Sequence, residues 1–146
     1  MKGRVERLFL SREKKTKRVE IDEGIFIEDY GLEGDAYSSR GAKRQVTVLP
    51  LEARDAVEKE EQDGLCFERF LETVRISGID SENLREGVIL KIGDAVFEVT
   101  KHRKKCYPEC DIVKSGRVCS LVKGARFLKV LSTGKVTVGD CVEIIK

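Results

Sequence analysis

Residues 88–99 read VILKIGDAVFEV and residues 136–145 read VTVGDCVEII, and these two stretches of similar pattern decide the fold. In each, apolar positions alternate with other residues on both sides of a Gly-Asp pair, at Gly93-Asp94 and Gly139-Asp140. Alternation is the period of a half-buried strand, and Gly-Asp between two such arms is typical of a hairpin turn. We therefore predict two β-hairpins in the second half of the chain.

Further strands are indicated along the rest of the chain. Alternating apolar positions predict strands at 3–10 (GRVERLFL), 18–27 (RVEIDEGIFI), 44–49 (RQVTVL) and 125–131 (ARFLKVL), the last followed by a turn at 132–134. One helix is predicted over 51–62, opened by Pro50, whereas 67–76 fits either a helix or a strand that ends at Gly78. Many short strands with one helix predict a mostly β fold, a closed or partly closed β-barrel with one or a few short helices.

Composition limits the class of protein. The chain has 146 residues, which predicts a single domain over 1–146. Lys and Arg total 28 against 26 Asp and Glu, and this balance argues against a nucleic-acid partner. No apolar run approaches the roughly 20 residues of a membrane span, and the first residues lack a signal-peptide pattern. We therefore expect a cytoplasmic protein whose thiols are reduced.

Three of the five cysteines lie close together, and Cys106 is the main candidate for chemistry. The stretch before it, KHRKK at 101–105, is basic, and nearby cations favour the thiolate form of a cysteine. Arg103, Lys104 and Lys105 would lower the pKa of the Cys106 thiol and attract an anionic ligand. The alternative is a loop cysteine beside solvated lysines.

Two other interpretations of the cysteines stay open. Cys106, Cys110 and Cys119, with His102 as a fourth ligand, could bind zinc in a non-catalytic, metal-stabilised module, although structural zinc sites prefer two close ligand pairs. Alternatively, Cys110 could resolve an oxidised Cys106 as a redox pair. For the two remaining cysteines, Cys66 and Cys141, we expect packing rather than chemistry.

A second group of candidates lies in the first third of the chain. The stretch GLEGDA at 31–36 predicts a tight turn that presents backbone N–H groups and the Asp35 carboxylate. Arg44 and Gln45 open the next predicted strand, where they could reach a ligand at the barrel mouth. The alternative for both is a solvated strand end.

Taken in order, these pieces resemble a known family. The series is GLEGDA at 31–36, RQVTVLPLEA at 44–53, FLETVRISGID at 70–80, LREGVILKIGDAVFEVT at 84–100, KKCYPEC at 104–110 and VTVGD at 136–140. It resembles the MOSC domain, named for the C-terminal domain of molybdenum cofactor sulfurase, in a small stand-alone prokaryotic form. One stand-alone branch often has His where this chain has Tyr107 and Lys43, and Glu-Asn where it has Glu72-Thr73.

The resemblance implies a barrel-like fold and a role for Cys106. In that family the matching cysteine carries sulfur as a persulfide or ligates molybdenum in a bound pterin cofactor. Some members reduce N-hydroxylated compounds with electrons from a partner protein. The resemblance implies that Asp35, Arg44 and Gln45, with Glu72, lie around the cofactor pocket. It leaves open an oxidoreductase or a sulfur carrier, whose partners would be the cofactor and an electron- or sulfur-donor protein.

Overall fold

The computed structural model describes residues 2–13, 18–42, 44–51, 72–101 and 124–145, the last residue of 72–101 by its backbone alone. Strands make up most of this part of the chain, and its one 3-10 helix is Ser81–Asn83. The strands are β1 (Lys2–Leu10), β2 (Val19–Ile21), β3 (Glu23–Ile27), β4 (Gly31–Leu32), β5 (Val46–Pro50), β6 (Val74–Ser77), β7 (Ile89–Ile92), β8 (Ala95–Lys101), β9 (Arg126–Ser132), β10 (Gly134–Thr137) and β11 (Cys141–Ile144). Within the described ranges, no helix has the length and apolar character needed to cross a membrane.

Seven of these strands form a closed barrel, which confirms the predicted fold class. They follow one another in the order β11, β7, β8, β9, β5, β6 and β1, and β1 pairs again with β11. The closing pair is antiparallel, with Gly3 opposite Val142 and Arg4 opposite Cys141. β2 extends the sheet beyond the second half of β1, where Phe9 lies opposite Glu20. The barrel is therefore closed by strands from the two ends of the described chain.

β5 and β6 are the one parallel pair among the strand pairs that the structure describes. Parallel neighbours need a crossover connection, and residues 51–73 supply it here. The helix predicted over 51–62 falls in this connection and, apart from Leu51, lies outside the described residues. Pro50 is the last residue of β5, opposite Ile76, and Leu51 directly after it is helical. The uncertain stretch 67–76 ends in strand β6, and Gly78 follows it with φ 84°.

The predicted hairpin at 88–99 is confirmed, and the one at 136–145 is wrong. β7 and β8 pair across Gly93-Asp94, with Ile92 opposite Ala95. β10 instead pairs with β3 in a separate three-stranded sheet, ordered β10-β3-β4, while β11 pairs with β1 and β7 in the barrel. The turn before β11 therefore passes the chain from one sheet to the other.

The single strand predicted over 18–27 is also divided between the two sheets. It forms β2 and β3, which are separated at Asp22 and pair with different partners. The alternation on either side of Asp22 is real, but it belongs to two short strands. The alternating pattern therefore predicted which residues form strands, but it predicted only some of the strand pairs correctly.

The core fills the barrel with apolar side chains from nearly every strand. Phe26 and Phe97 make an edge-to-face contact with ring centroids 5.3 Å apart, so a side chain of the small sheet packs against one from the barrel. The members buried to 1% exposure or less include Val5, Leu8, Val46, Val48, Val74, Ile76, Leu90, Ile92, Leu128, Val130 and Val142. Cys141, expected to pack inside, is exposed on β11.

Candidate functional site

The outer side of β5, β6 and β9 carries polar and aromatic side chains that are nevertheless buried. The core includes Val46, Val48, Val74 and Leu128. Successive residues of a strand point to opposite faces, so the residues next to these four in sequence face outward. We call the outward-facing set Thr47, Thr73 and Phe127 the site face; each of the three side chains is buried. A buried polar surface outside the barrel is a place where a ligand and loop residues can meet away from bulk water.

Backbone pairing connects the site face to the strand that precedes the cysteine-rich stretch. Lys101, the last residue of β8, lies opposite Phe127, and Phe127 lies opposite Thr47. Thr73 continues the row, since its N–H donates to the Thr47 carbonyl oxygen at 2.9 Å. The row thus runs from Lys101 on β8 across β9 and β5 to Thr73, the residue before β6.

Asp35 lies near the Thr73 end of this row, in the turn predicted from GLEGDA. Gly31 and Gly34 have φ of 125° and 86°, conformations that glycine adopts readily. The Asp35 side chain is 3% exposed, and its Oδ1 accepts a hydrogen bond from the Ser11 N–H at 3.1 Å. Burial raises the pKa of the Asp35 carboxyl, while nearby Arg18 and backbone amides, that of Ser11 among them, act in the opposite direction.

Glu72 brings a second buried carboxylate next to Thr73. Its side chain is 0% exposed, and Oε2 accepts a hydrogen bond from Arg75 Nε at 3.0 Å. The Arg75 guanidinium in turn lies 5.2 Å from the centre of the Phe9 ring. The ion pair and hydrogen bond with Arg75 compensate the loss of water around this buried carboxyl group.

Arg18 lies near both carboxyl groups, and sequence reasoning missed it. Its Nη1 lies 3.5 Å from Thr73 Oγ1, and its guanidinium lies 5.7 Å from the centre of the Tyr37 ring. Burial lowers the pKa of the Arg18 guanidinium, and attraction to Asp35, Tyr37 and Glu72 opposes that effect. The only sequence signal was its place in the basic run 12–18, and that run does not indicate that Arg18 lies near Asp35 and Glu72. We call Arg18, Asp35 and Glu72 the charged cluster.

The two residues predicted at the head of β5 have different surroundings. Arg44 is exposed, and its guanidinium stacks 4.2 Å from the centre of the Phe127 ring, at the site face. Gln45 is buried and joins separate parts of the chain. Its Nε2 donates to Asp29 Oδ1 at 3.1 Å, and its Oε1 accepts from the Val130 N–H at 3.0 Å. These bonds give the Gln45 side chain a structural role, and its contact with a cofactor stays a prediction.

The remaining predicted site residues lie outside the described part of the chain. They are His102, Arg103, Lys104, Lys105, Cys106, Cys110 and Cys119. Among the residues that are described, no three His, Cys, Asp or Glu side chains come together as ligands for a metal ion. The charged cluster can hold a polar group by hydrogen bonds, and it contains no thiol, which is the group that a sulfur carrier or a soft metal site requires.

Comparison with known proteins identifies the family. Residues 35–143 match the model of the MOSC domain, a stretch that starts at Asp35 and contains the site face and Cys106. The chain therefore belongs to the MOSC domain family, a class of proteins associated with the molybdenum cofactor. Arg18 precedes the matched residues. A comparison with curated proteins gave no match.

Solved structures with the same fold include three from bacteria. The YuaD protein of Bacillus subtilis superposes with a TM-score of 0.74 at 20% identity, over 99% of this chain and 96% of that one. YiiM of Escherichia coli gives 0.63 at 23% identity, over 98% and 70%. YiiM of Geobacillus stearothermophilus gives 0.67 at 15% identity, over 99% and 75%. At these identities the likeness concerns the fold alone.

Proposed function

We propose that this chain binds the molybdenum cofactor at the site face and uses Cys106 as the thiolate that ligates molybdenum or carries sulfur. One observation carries the proposal. The charged cluster lies at one end of the paired row, and Lys101, five residues before Cys106, lies at the other. Family membership over residues 35–143 supports the choice of cofactor.

The distances along the row allow Cys106 to reach the cluster. Three strand spacings separate Lys101 from Thr73, which amounts to about 14 Å along the sheet. Five residues of extended chain span at most about 17 Å. Five residues are therefore long enough for the Cys106 thiol to reach Arg18, Asp35 and Glu72, as the proposal requires.

The described residues fit the chemical character of the cofactor. Arg44 on the Phe127 ring offers a planar cation beside the face, and Arg18, whose charge faces Asp35 and Glu72, offers N–H donors to a polar group. Arg103, Lys104 and Lys105 add positive charge just before the thiol in sequence. When bound, the cofactor would supply a metal centre able to exchange two electrons. The residues of this chain would bind it, shield it from water and donate the thiolate ligand.

The proposal extends to the partner and to the compartment. A chain that reduces N-hydroxylated compounds needs an electron donor, and a sulfur carrier needs a sulfur donor, so we propose a donor protein as its partner. A thiolate that must stay free also suits a reducing compartment, the cytoplasm.

Elemental analysis tests the proposal. We expect stoichiometric molybdenum in protein made in cells with an intact cofactor pathway, and its loss in Cys106→Ala. Cys141→Ser, which changes an exposed thiol on β11, is the matched control and should keep the metal. Stoichiometric zinc, held by Cys106, Cys110 and Cys119 and lost with a chelator, would overturn the proposal in favour of a metal-stabilised module.

A further inference from the structure

Two residues, Asp29 and Gln45, hold the part of the chain that carries Asp35 against β9. This part is residues 28–42, which we call the Asp35 segment. The Asp29 N–H donates to the Val130 carbonyl oxygen at 2.9 Å, and Gln45 Oε1 accepts a hydrogen bond from the Val130 N–H at 3.0 Å. Both anchors therefore meet at one core residue of the barrel.

The Gln45 side-chain amide uses both of its N–H groups within the chain. Nε2 donates to Asp29 Oδ1 at 3.1 Å and to the Ser39 carbonyl oxygen at 3.3 Å, while Oε1 faces the Val130 N–H. Only one orientation of the amide fits these partners, because a flip would put its oxygen against two acceptors. With 3% of its surface exposed, Gln45 is suited to bonding other parts of the chain rather than a ligand.

Asp29 receives the other bonds of the anchor, and it does so in a left-handed conformation. Its φ is 52°, which L residues other than glycine adopt at a cost. Asp29 Oδ1 accepts a hydrogen bond from the Gly41 N–H at 3.2 Å as well as the one from Gln45, and Lys129 Nζ lies 3.8 Å away. These bonds hold positions 29 and 41 together, near the two ends of the Asp35 segment. A strained residue with several partners indicates that this geometry is required.

A short run of hydrogen bonds connects the anchor to Asp35. The Ser39 carbonyl oxygen accepts from Gln45, and the N–H of the preceding residue, Ser38, donates to the Asp35 carbonyl oxygen at 3.2 Å. On the other side, the Asp35 carboxyl accepts from the Ser11 N–H at 3.1 Å. The turn that presents this carboxyl is therefore held from both sides.

We propose that Asp29 and Gln45 are positioning residues for the cofactor site: they hold the Asp35 segment on β9 and thereby keep the Asp35 carboxyl at the Thr73 end of the site face. The proposal rests on the function proposed for the site face. It gives Gln45 a role other than the cofactor contact that the family resemblance implies. Loss of either side chain should loosen the Asp35 segment while the barrel stays folded.

Amide hydrogen exchange measures how firmly the segment is held, without reference to its function. The Ala36 N–H donates to the Ser11 carbonyl oxygen at 2.7 Å and reports on the turn around Asp35. We expect it to exchange about tenfold faster in Gln45→Met and in Asp29→Ala, as loss of a hydrogen bond to a charged group would give in local opening. Asp29→Asn keeps the oxygen acceptor and tolerates the left-handed conformation, so it should keep the natural rate.

Val142→Ala is the matched control, because it removes core volume in β11, which pairs with β1 and β7. Compared at equal overall stability, it should leave exchange of the Ala36 N–H at the natural rate. Equal rates in Gln45→Met, Asp29→Ala and this control would overturn the proposal. If Gln45→Met does not fold, the comparison of Asp29→Ala with Asp29→Asn decides the outcome.

The midpoint of the Asp35 carboxyl titration, followed by NMR, is the second readout. Burial raises the pKa of this carboxyl, so in Gln45→Met and Asp29→Ala the midpoint should fall toward about 3.9, the ordinary value. Val142→Ala should keep the natural midpoint, and an unchanged midpoint in both anchor variants would contradict a positioning role. Failure of the proposed function looks different: the natural chain itself would then hold no molybdenum, while the exchange rates and the midpoint still report on the Asp35 segment.

Discussion

At the scale of single residues, the candidate site depends on the groups that surround two buried carboxyl groups, those of Asp35 and Glu72. Asp35 accepts hydrogen bonds from backbone amides and loses hydration on burial, and this burial raises its pKa. Glu72 is held by Arg75 through a direct ion pair. Arg18 lies near both and links the loop 31–37 to the start of β6. The site is therefore organised by arginines that the family match does not single out.

Asp35 and Glu6 should give the stability of the protein opposite pH dependences. The folded pKa of Asp35 is raised, so its contribution is present below the unfolded value of about 3.9 and is lost as the pH rises through the folded value. The folded pKa of Glu6 is lowered, chiefly by the Ser77 hydroxyl that donates to it at 2.6 Å. Its contribution is present above about 4.3 and is lost as the pH falls.

Urea unfolding of Asp35→Asn and Glu6→Gln across pH 3 to 7 measures these contributions. The free energy of unfolding of the natural chain, minus that of Asp35→Asn, should fall with rising pH. The same difference for Glu6→Gln should rise. Parallel curves for the two variants would contradict the opposite directions of the pKa shifts.

Sequence reasoning reached part of this site. Asp35 was found because glycines with positive φ around an acid form a local signature, and Cys106 because its basic neighbours adjoin it in sequence. Arg18 was missed because its contact with Thr73 and its proximity to Asp35 depend on tertiary folding. Gln45 was found, but its bonds to Asp29 and Val130 are equally non-local and could not be foreseen.

At the scale of elements, the two Gly-Asp turns show the limits of local pattern. Both have glycine with positive φ, at Gly93 and Gly139, and both follow a strand. Only the first closes a hairpin. The second ends β10, which found its partner in β3, and begins β11, which found partners in β1 and β7. Alternation predicts that a segment is a strand, whereas its partner depends on which edges the rest of the chain leaves open.

The two turns also differ in crowding, and alanine substitutions should show it. A Cβ at Gly93 would lie 2.5 Å from Asp140 Oδ2 and 2.8 Å from the Lys135 carbonyl oxygen, whereas nothing lies within 4 Å at Gly139. Gly139→Ala should cost only the backbone strain of positive φ, about 1–2 kcal/mol. Gly93→Ala should cost clearly more in the free energy of unfolding, because a backbone atom must also move. Equal losses in urea titrations would contradict the close packing of the two turns.

At the scale of the whole molecule, closure of the barrel depends on the pairing of β1 with β11. This pair joins residues from the two ends of the described chain, with Arg4 opposite Cys141. The fold class was predictable because many short alternating strands favour a barrel, which leaves few exposed sheet edges. The closing pair was not predictable, because nothing in the sequence of either strand identifies the other as its partner.

A designed disulfide tests the register of closure. Arg4→Cys puts a thiol directly opposite the exposed Cys141, at a separation that a disulfide can span. Under mild oxidation we expect peptide mapping to show the 4–141 cross-link, with a gain in unfolding free energy of up to about 5 kcal/mol because the loop it closes is long. Lys2→Cys, opposite Glu143, is the control and should give no such link. Cross-linking in the control alone would mean that the register is shifted.

Closure by β1 and β11 has a consequence for synthesis in the cell. β1 is translated long before its last partner, β11, and at 5–20 residues per second that delay is roughly 7–26 s. During this interval the edge of β1 that will pair with β11 has no partner strand. The barrel can therefore close only after β11 has been made, so β1 waits for its last partner however stable the finished barrel is.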